Sequence, residues 1–246
     1  MFGKLFKKKK LKHPVDLSSL VADMHSHLIP GIDDGSPDMK TSLALIREMQ
    51  ALGYKKIITT PHISSDIFKN TVDNIQAGLA SVKERLAQEQ IDIQLEATAE
   101  YLLDDGFTNL LKKNEIQTFG NKHVLVELPY FHLPPNLYDI TFELQTKGYR
   151  IILAHPERYL YWYNDMNKYE QLKDRGILFQ LNIISLTGHY SPEVKKMAEK
   201  LIDANMIDFL GSDLHNFHYL QLLKNSTYEP YLLKAIESGR IMNHTL

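Results

Sequence analysis

The sequence predicts an α/β fold built on one parallel barrel, closed or nearly closed, and three observations point there. Seven apolar runs of strand length recur after residue 20. Segments with helical period lie between them. No linker-like stretch divides the 246 residues, and one α/β barrel typically needs about 250. An open doubly wound sheet is the rival, weakened because no glycine-rich dinucleotide loop follows the first strand.

In chain order, the strands are expected in "SLVADMH", "KKIITTPH", "IQLEATAEY", "HVLVELP", "YRIILAHP", "ILFQLNI" and "MIDFLGSD". Each is short and β-branched or leucine-rich, as strands buried on both faces are. Met39, Leu43, Ile46 and Met49 share one face of a helix after the first strand. Ile75, Leu79, Val82 and Leu86 do so after the second, and Val194, Met197, Leu201 and Ile202 after the sixth. Ser36-Pro37 and Ser191-Pro192 each place a capping residue before a proline at the first helical position. Strands alternating with helices imply parallel pairing through right-handed crossovers.

Composition narrows the chemistry. Apolar residues make up 43% and charged residues 24%, with a net charge of −2, as in an ordinary globular domain. The absence of cysteine excludes disulfides, thiolate zinc sites and cysteine nucleophiles. No run of ~18 apolar residues could span a bilayer, and no apolar core of a secretory signal follows the first residues. The opening "MFGKLFKKKKLKH" holds six lysines and no acid, leaving 22 basic against 30 acidic residues in the rest. Residues 1–19 read as a basic, flexible tail and 20–246 as one catalytic domain. The Lys4–Lys12 stretch is either solvated or a weak contact for an anionic membrane surface. The expected location is cytoplasmic, peripheral at the inner membrane face, with no nucleic-acid partner.

Ligand-type residues fall where the strands end. They are His25 and His27, His62, Glu100, Glu127, His155, then Asp213 and His215, with Asp34 in the first loop. In a parallel barrel those ends meet on the face that carries the chemistry. Only the sixth strand, ending near Asn182, offers no obvious ligand. Residues i and i+2 on a strand point the same way, so His25 and His27 can grip one ion. A carboxylate inside an apolar run such as "VLVELP" is costly unless paired or metal-bound, which singles out Glu127 and, more weakly, Glu100. Histidine and carboxylate without thiolate suit Mn, Fe or Zn. Nine donors exceed one coordination sphere and serve two or three divalent ions. Asp33 reads as a loop residue or a partner of a ligand; His13, His132 and His189 read as surface histidines.

"HPERY" adds a cation beside these ligands. Arg158 is expected to hold phosphate oxygens, the alternative being a salt bridge to Glu157. The aromatics Tyr101, Tyr130, Phe131 and the Tyr159–Tyr163 run either rim a groove for an aromatic substrate or pack onto a neighbouring helix.

Six segments, "DMHSHLIPGIDDGS", "TTPHI", "TAEYL", "LVELP", "AHPERY" and "GSDLHN", resemble the polymerase and histidinol phosphatase superfamily. Within it the chain is most similar to the bacterial protein-tyrosine phosphatase branch associated with capsular and exopolysaccharide synthesis. The resemblance runs from residue 21 to the end. It implies a distorted seven-stranded TIM-like barrel and a three-metal site, often with manganese or iron. His25, His27, Glu100 and Asp213 would hold one ion; Glu100 would bridge to a second, completed by Glu127 and His155; Asp34, His62 and His215 would hold the third. Asp34 and Glu127 stand where other branches tend to have histidine. The resemblance also implies Arg158, Glu100 and His155 as catalytic residues, and Arg158, Tyr159 and Tyr130 as substrate contacts. One departure is plain: members of the branch can carry an arginine shortly after the last histidine, and here Asn216-Phe217-His218-Tyr219-Leu220 holds none. His218 is the candidate substitute.

The residues fit the same reaction. Without cysteine there is no cysteinyl-phosphate intermediate, and no D-x-D-x-[TV] signature of an aspartyl-phosphate enzyme occurs. Direct attack by metal-activated water remains. The expected substrate is a phosphotyrosine protein, such as the tail of a bacterial tyrosine kinase. A small-molecule phosphatase or nuclease is the alternative, and a non-catalytic regulatory scaffold a more distant one.

Overall fold

The computed structural model describes residues 10–163 and 165–246. Its strands are β1 (Ala22–Asp23), β2 (Lys56–Thr59), β3 (His62–Ile63), β4 (Gln94–Ala97), β5 (Glu100–Leu102), β6 (His123–Glu127), β7 (Arg150–Ala154), β8 (Leu178–Asn182) and β9 (Phe209–Gly211). Its helices are α1 (Met39–Ala51), α2 (Val72–Gln88), α3 (Asp105–Lys113), α4 (Leu137–Thr146), α5 (Met166–Asp174), α6 (Pro192–Asp203), α7 (Phe217–Ser226) and α8 (Pro230–Glu237). Every strand pair is parallel.

The expected continuous seven-stranded barrel is not what the ladders form. They form a three-stranded sheet, β1-β2-β4, and a six-stranded sheet, β3-β5-β6-β7-β8-β9. The reason is two breaks in runs read as single strands. Thr60-Pro61 separates β2 from β3, and Thr98-Ala99 separates β4 from β5. Proline brings no N–H to a ladder. The two runs bend together and still pair beyond the break, with His62 opposite Glu100. Each thereby passes from one sheet to the other. At the far edge β1 and β9 share no ladder. A single bridge between Ser26 and Leu214 joins their extensions, and the side chain of Asn243 donates to the carbonyls of Ala22 and Leu210.

Apolar alternation places an inner layer beneath the ligands. Met24, Ile58, Leu125, Ile152 and Phe209 pack together at 0% exposure. Leu125 and Glu127 lie two apart on β6, so one inward face carries a core residue and then a site residue. The larger cluster, including Ile46, Ile75, Phe107, Leu144, Phe179 and Leu201, seats the helices on the strands.

The predicted cap of α6 is correct: Ser191 accepts from the Val194 N–H with Pro192 at the first position. The cap of α1 is Asp38 rather than Ser36. Ser36 instead donates to the Asp38 carbonyl and accepts from Ser42. Much of the lysine run, residues 1–9, lies outside the described residues. From Lys10 onward the segment read as tail is laid on the body: Leu11 and Val15 N–H groups donate to Tyr228 and Thr227 carbonyls, and Leu17 and Leu20 are buried. No helix among the described residues is long and apolar enough to cross a membrane.

Candidate metal centre

The nine predicted donors converge on one side of the sheets, most of them at or just past C-terminal strand ends, with His62 and Glu100 opening β3 and β5 beyond the two bends. β1 leads into His25 and His27, whose Nε2 atoms lie 3.4 Å apart. Glu100 at the head of β5 reaches both, at 3.0 Å from His25 and 3.5 Å from His27. Asp213, just past β9, faces the same pair at 3.3 and 3.5 Å. The other Glu100 oxygen meets His155 Nε2 at 3.0 Å. Glu127 at the end of β6 sits 3.3 Å from His62 and 3.7 Å from His155. Asp34, half-exposed at the mouth, lies 3.6 Å from His62 and 3.4 Å from His215.

Seven of the nine gather as three groups: His27, Asp34, His62 and His215; His25, His27 and Glu100; and His62, Glu100 and Glu127, with His155 and Asp213 outside them. Within each group the ligand atoms lie within 4.8 Å of one another. Glu100 belongs to two groups, as expected of a bridge. His27 and His62 also belong to two groups, so the sharing is wider than the family pattern implies.

Several imidazoles are already oriented by their other nitrogen. His27 Nδ1 pairs with Asp33 at 2.7 Å, His25 Nδ1 with Gln180 at 2.8 Å, and His215 Nδ1 with its neighbour's carbonyl at 2.8 Å. That leaves Nε2 of each pointing at the carboxylates, the tautomer a metal ligand needs. Nitrogen and oxygen donors without thiolate, converging on shared points in a nearly solvent-free pocket, fit borderline and hard divalent cations.

Electrostatics agree. Burial would raise Glu100, but His25 and His62 hold it well below the usual carboxylate range. Burial likewise opposes ionisation of Asp213, and His25 and His215 overcome it. His25, despite burial, is raised to about 9 by Glu100 and Asp213. Burial lowers His155, with Arg158 adding to the effect.

Two donors sit on unusual backbone. His155 has φ 33° and Asp213 φ 50°, both in the left-handed region that non-glycine residues rarely adopt. Such conformations cost on the order of 1–3 kcal/mol each and cluster at working sites. The first loop needs a glycine for a related reason: a Cβ at Gly35 would lie 2.3 Å from the His27 carbonyl oxygen.

Arg158 approaches Asp213 Oδ2 at 3.4 Å. Its guanidinium carbon stacks 4.8 Å from the Tyr130 ring and 4.2 Å from the Tyr190 ring. Glu157, the alternative partner, turns away. It accepts from Asn182 N–H and the Ser185 hydroxyl, and burial raises it to about 7.

The predicted aromatic rim is mostly core. Tyr159 is fully buried; its hydroxyl accepts from Leu128 N–H and donates to the Ala154 carbonyl, which leaves nothing to offer a substrate. Tyr101 is equally buried, accepting from Gln117 N–H. Trp162 is buried, and Tyr161 and Tyr163 donate to the carbonyls of Pro129 and Glu157. Tyr130 and Phe131 do reach the surface, at 39% and 96% exposure.

Sequence reasoning missed the sixth strand's part. Gln180 steadies His25, and Asn182 donates to Asp213 Oδ2 at 2.6 Å. Tyr190 donates to the same oxygen at 3.1 Å. The signal was present in "FQLN": two polar side chains at alternating positions of a buried strand, the argument that had singled out Glu127.

A parallel α/β scaffold with a shared cluster of histidines and carboxylates where its strands end defines a protein with candidate metal-ion sites. The chain belongs to the family described as capsular polysaccharide synthesis, CpsB/CapC, which its residues 21–221 match. It is 29% identical over 235 residues to the tyrosine-protein phosphatase YwqE of Bacillus subtilis, covering 91% of this chain and 92% of that protein. It is 26% identical over 221 residues to the putative tyrosine-protein phosphatase CapC of Staphylococcus aureus, covering 89% and 83%. The fold is similar to a crystal structure from work on YwqE and on CpsB of Streptococcus pneumoniae, described as unique metal-dependent tyrosine phosphatases. There the TM-score is 0.78 at 27% identity, over 88% of this chain and 86% of the other.

Proposed function

We propose that this chain is a metal-dependent protein-tyrosine phosphatase that removes phosphate from phosphotyrosine proteins, a bacterial tyrosine kinase or its targets among them, in capsule or exopolysaccharide synthesis. The observation that carries the reading is the meeting of seven histidine and carboxylate donors in three tight groups, with His155 and Asp213 against them and Arg158 beside Asp213. The names of the relatives support it.

Two or three divalent ions, with manganese first and iron or zinc as alternatives, would be held by His25, His27, Asp34, His62, Glu100, Glu127, His155, Asp213 and His215. When bound they would supply Lewis acidity toward phosphoryl oxygens and bring the pKa of water towards ~7. Everything else falls to side chains. Arg158 donates to the phosphoryl oxygens, and the rings of Tyr130 and Tyr190 fix its plane. Asn182 and Tyr190 hold Asp213 while it serves as a ligand. The Tyr130 face, stacked on His155, is a surface for the substrate's ring. A tyrosine phenolate leaves with a pKa near ~10 and needs less proton donation than an alkoxide.

The scaffold reads as one distorted seven-stranded barrel in a single domain, 20–246, whose two bent strands split its ladder. We place the protein in the cytoplasm, at the inner membrane face if the lysine run engages lipid. Chelation should abolish hydrolysis and Mn2+ should restore it. kcat/KM on matched phosphotyrosine and phosphoserine peptides and on histidinol phosphate tests the substrate class. Equal values, or a preference for histidinol phosphate, would overturn the assignment.

A further inference from the structure

Beyond Arg158 the rim continues as a second cationic cluster that no metal-ligand role uses. His189 and His218 lie on opposite sides of the gap between the sixth strand's loop and α7, ring centroids 5.3 Å apart. Tyr190 and Tyr219 flank His189, at 5.1 and 5.5 Å, and Tyr219 also leans on His215 at 5.1 Å. The Tyr190 ring separates this cluster from Arg158. Both histidines are exposed.

Neither imidazole makes a hydrogen bond or an ion pair among the described residues. The charges felt by His189 are those of His218 and Arg158, and after partial burial both disfavour its proton. The nearest buried acid is spoken for: Asp213 Oδ2 already receives Asn182, Tyr190 and Arg158. Beside the Asp213-paired Arg158, two imidazoles therefore line one wall with no ion-pair partner of their own among the described residues. Such an arrangement is unfavourable alone and favourable once an anion enters.

We propose that His189 and His218 form a subsite for a second anionic group, carried by a residue flanking the phosphotyrosine. This rests on the phosphotyrosine reading above. Two adjacent N–H donors beside tyrosine hydroxyls suit the oxygens of a phosphoryl group or a carboxylate. The subsite would make the enzyme prefer a doubly phosphorylated or acidic peptide over an isolated phosphotyrosine.

The test separates binding from turnover. Peptides carrying a non-hydrolysable phosphonate analogue of phosphotyrosine are titrated against the Mn2+-loaded full chain by fluorescence anisotropy. One has neutral flanks, one an adjacent glutamate, and one an adjacent second phosphonate. Wild type should bind either anionic peptide about two- to fivefold tighter than the neutral one, within the range for exposed charge pairs. The substitution His189→Ala should remove most of that difference and leave the neutral peptide unchanged, and adding His218→Ala should remove the rest. His189→Gln with His218→Gln, which keeps neutral donors, should retain part of it. A gain with the second phosphonate only identifies a doubly phosphorylated substrate; an equal gain with glutamate identifies an acidic peptide. Equal binding of all three peptides by wild type, or an equal loss on all three in the double variant, overturns the subsite. Turnover of the matching phosphotyrosine peptides, measured in parallel, reports on the phosphatase reading by itself.

Discussion

At the scale of single residues, the centre depends as much on side chains that never touch a metal as on those that would. Gln180 is the clearest case, since it is the one partner of His25 Nδ1 among the described residues and lies deep in β8. Gln180→Ala should lower metal affinity by roughly 10- to 100-fold, the usual cost of losing such a partner. Its circular dichroism should stay unchanged. Isothermal titration with Mn2+ decides it, and wild-type affinity would remove Gln180 from the site. Asp213 permits a sharper comparison because of its left-handed backbone. Asp213→Ala and Asp213→Gly both delete the carboxylate and should nearly abolish turnover. The glycine variant should nonetheless be the more stable of the two, by about 1 kcal/mol, because only glycine adopts that conformation freely. Equal urea midpoints would mean the strain is not there. The candidate donors were legible from sequence because all but Asp34, which stands in the first loop, are polar residues ending an apolar run. Tyr159 was misread for the opposite reason: a tyrosine is amphipathic, and periodicity does not say whether its hydroxyl meets solvent or, as here, a carbonyl five residues back.

At the scale of elements, the handover of two strands between sheets is what carries His62 and Glu100 from the three-stranded sheet to the six-stranded one. Thr59 holds the neighbouring loop to this bend. Its hydroxyl accepts from Leu28 N–H and donates to the Ser26 carbonyl, all buried. Thr59→Val keeps the shape but strands the Leu28 N–H, while the Ser26 carbonyl keeps the Thr60 N–H, and should cost about 1–3 kcal/mol. Chemical denaturation measures this; an unchanged midpoint would show that the loop re-pairs. The sequence contained the breaks as "TTPH" and "ATAEY", yet both were read as single strands. A strand that switches partners keeps its hydrophobic alternation on either side of the bend, so the period alone cannot reveal it. Proline at 61 was the visible hint; nothing of that kind marks Thr98-Ala99.

At the scale of the molecule, the clustered charges make the metal-free chain sensitive to pH in a definite direction. Against burial, Glu100 and Asp213 raise His25 to about 9. The stability this gives is complete below about 6.5, the ordinary histidine value, and disappears as pH climbs through about 9. Glu100 and Asp213, held low by their histidines, contribute above the usual carboxylate range near ~4 and fail in acid. Asp23 and Glu157, raised by burial to about 7, add a cost as pH rises toward neutrality. The Tm of the metal-free protein should therefore peak on the acid side of neutral and fall toward about pH 9. Saturating Mn2+ should flatten the alkaline limb, since ligated imidazoles are neutral already. Parallel curves with and without metal would contradict the site. One architectural detail reaches into how the chain acquires its shape. His25 finds Asp213, and Ala22 finds Asn243, across almost the full length of the polypeptide. Because such distant closures form slowly and earlier segments emerge first during synthesis, the first histidines must wait until the segment carrying Asp213 has been made. Until then His25 and His27 lack the carboxylate that faces them in the finished fold, so this corner of the site is completed late in folding.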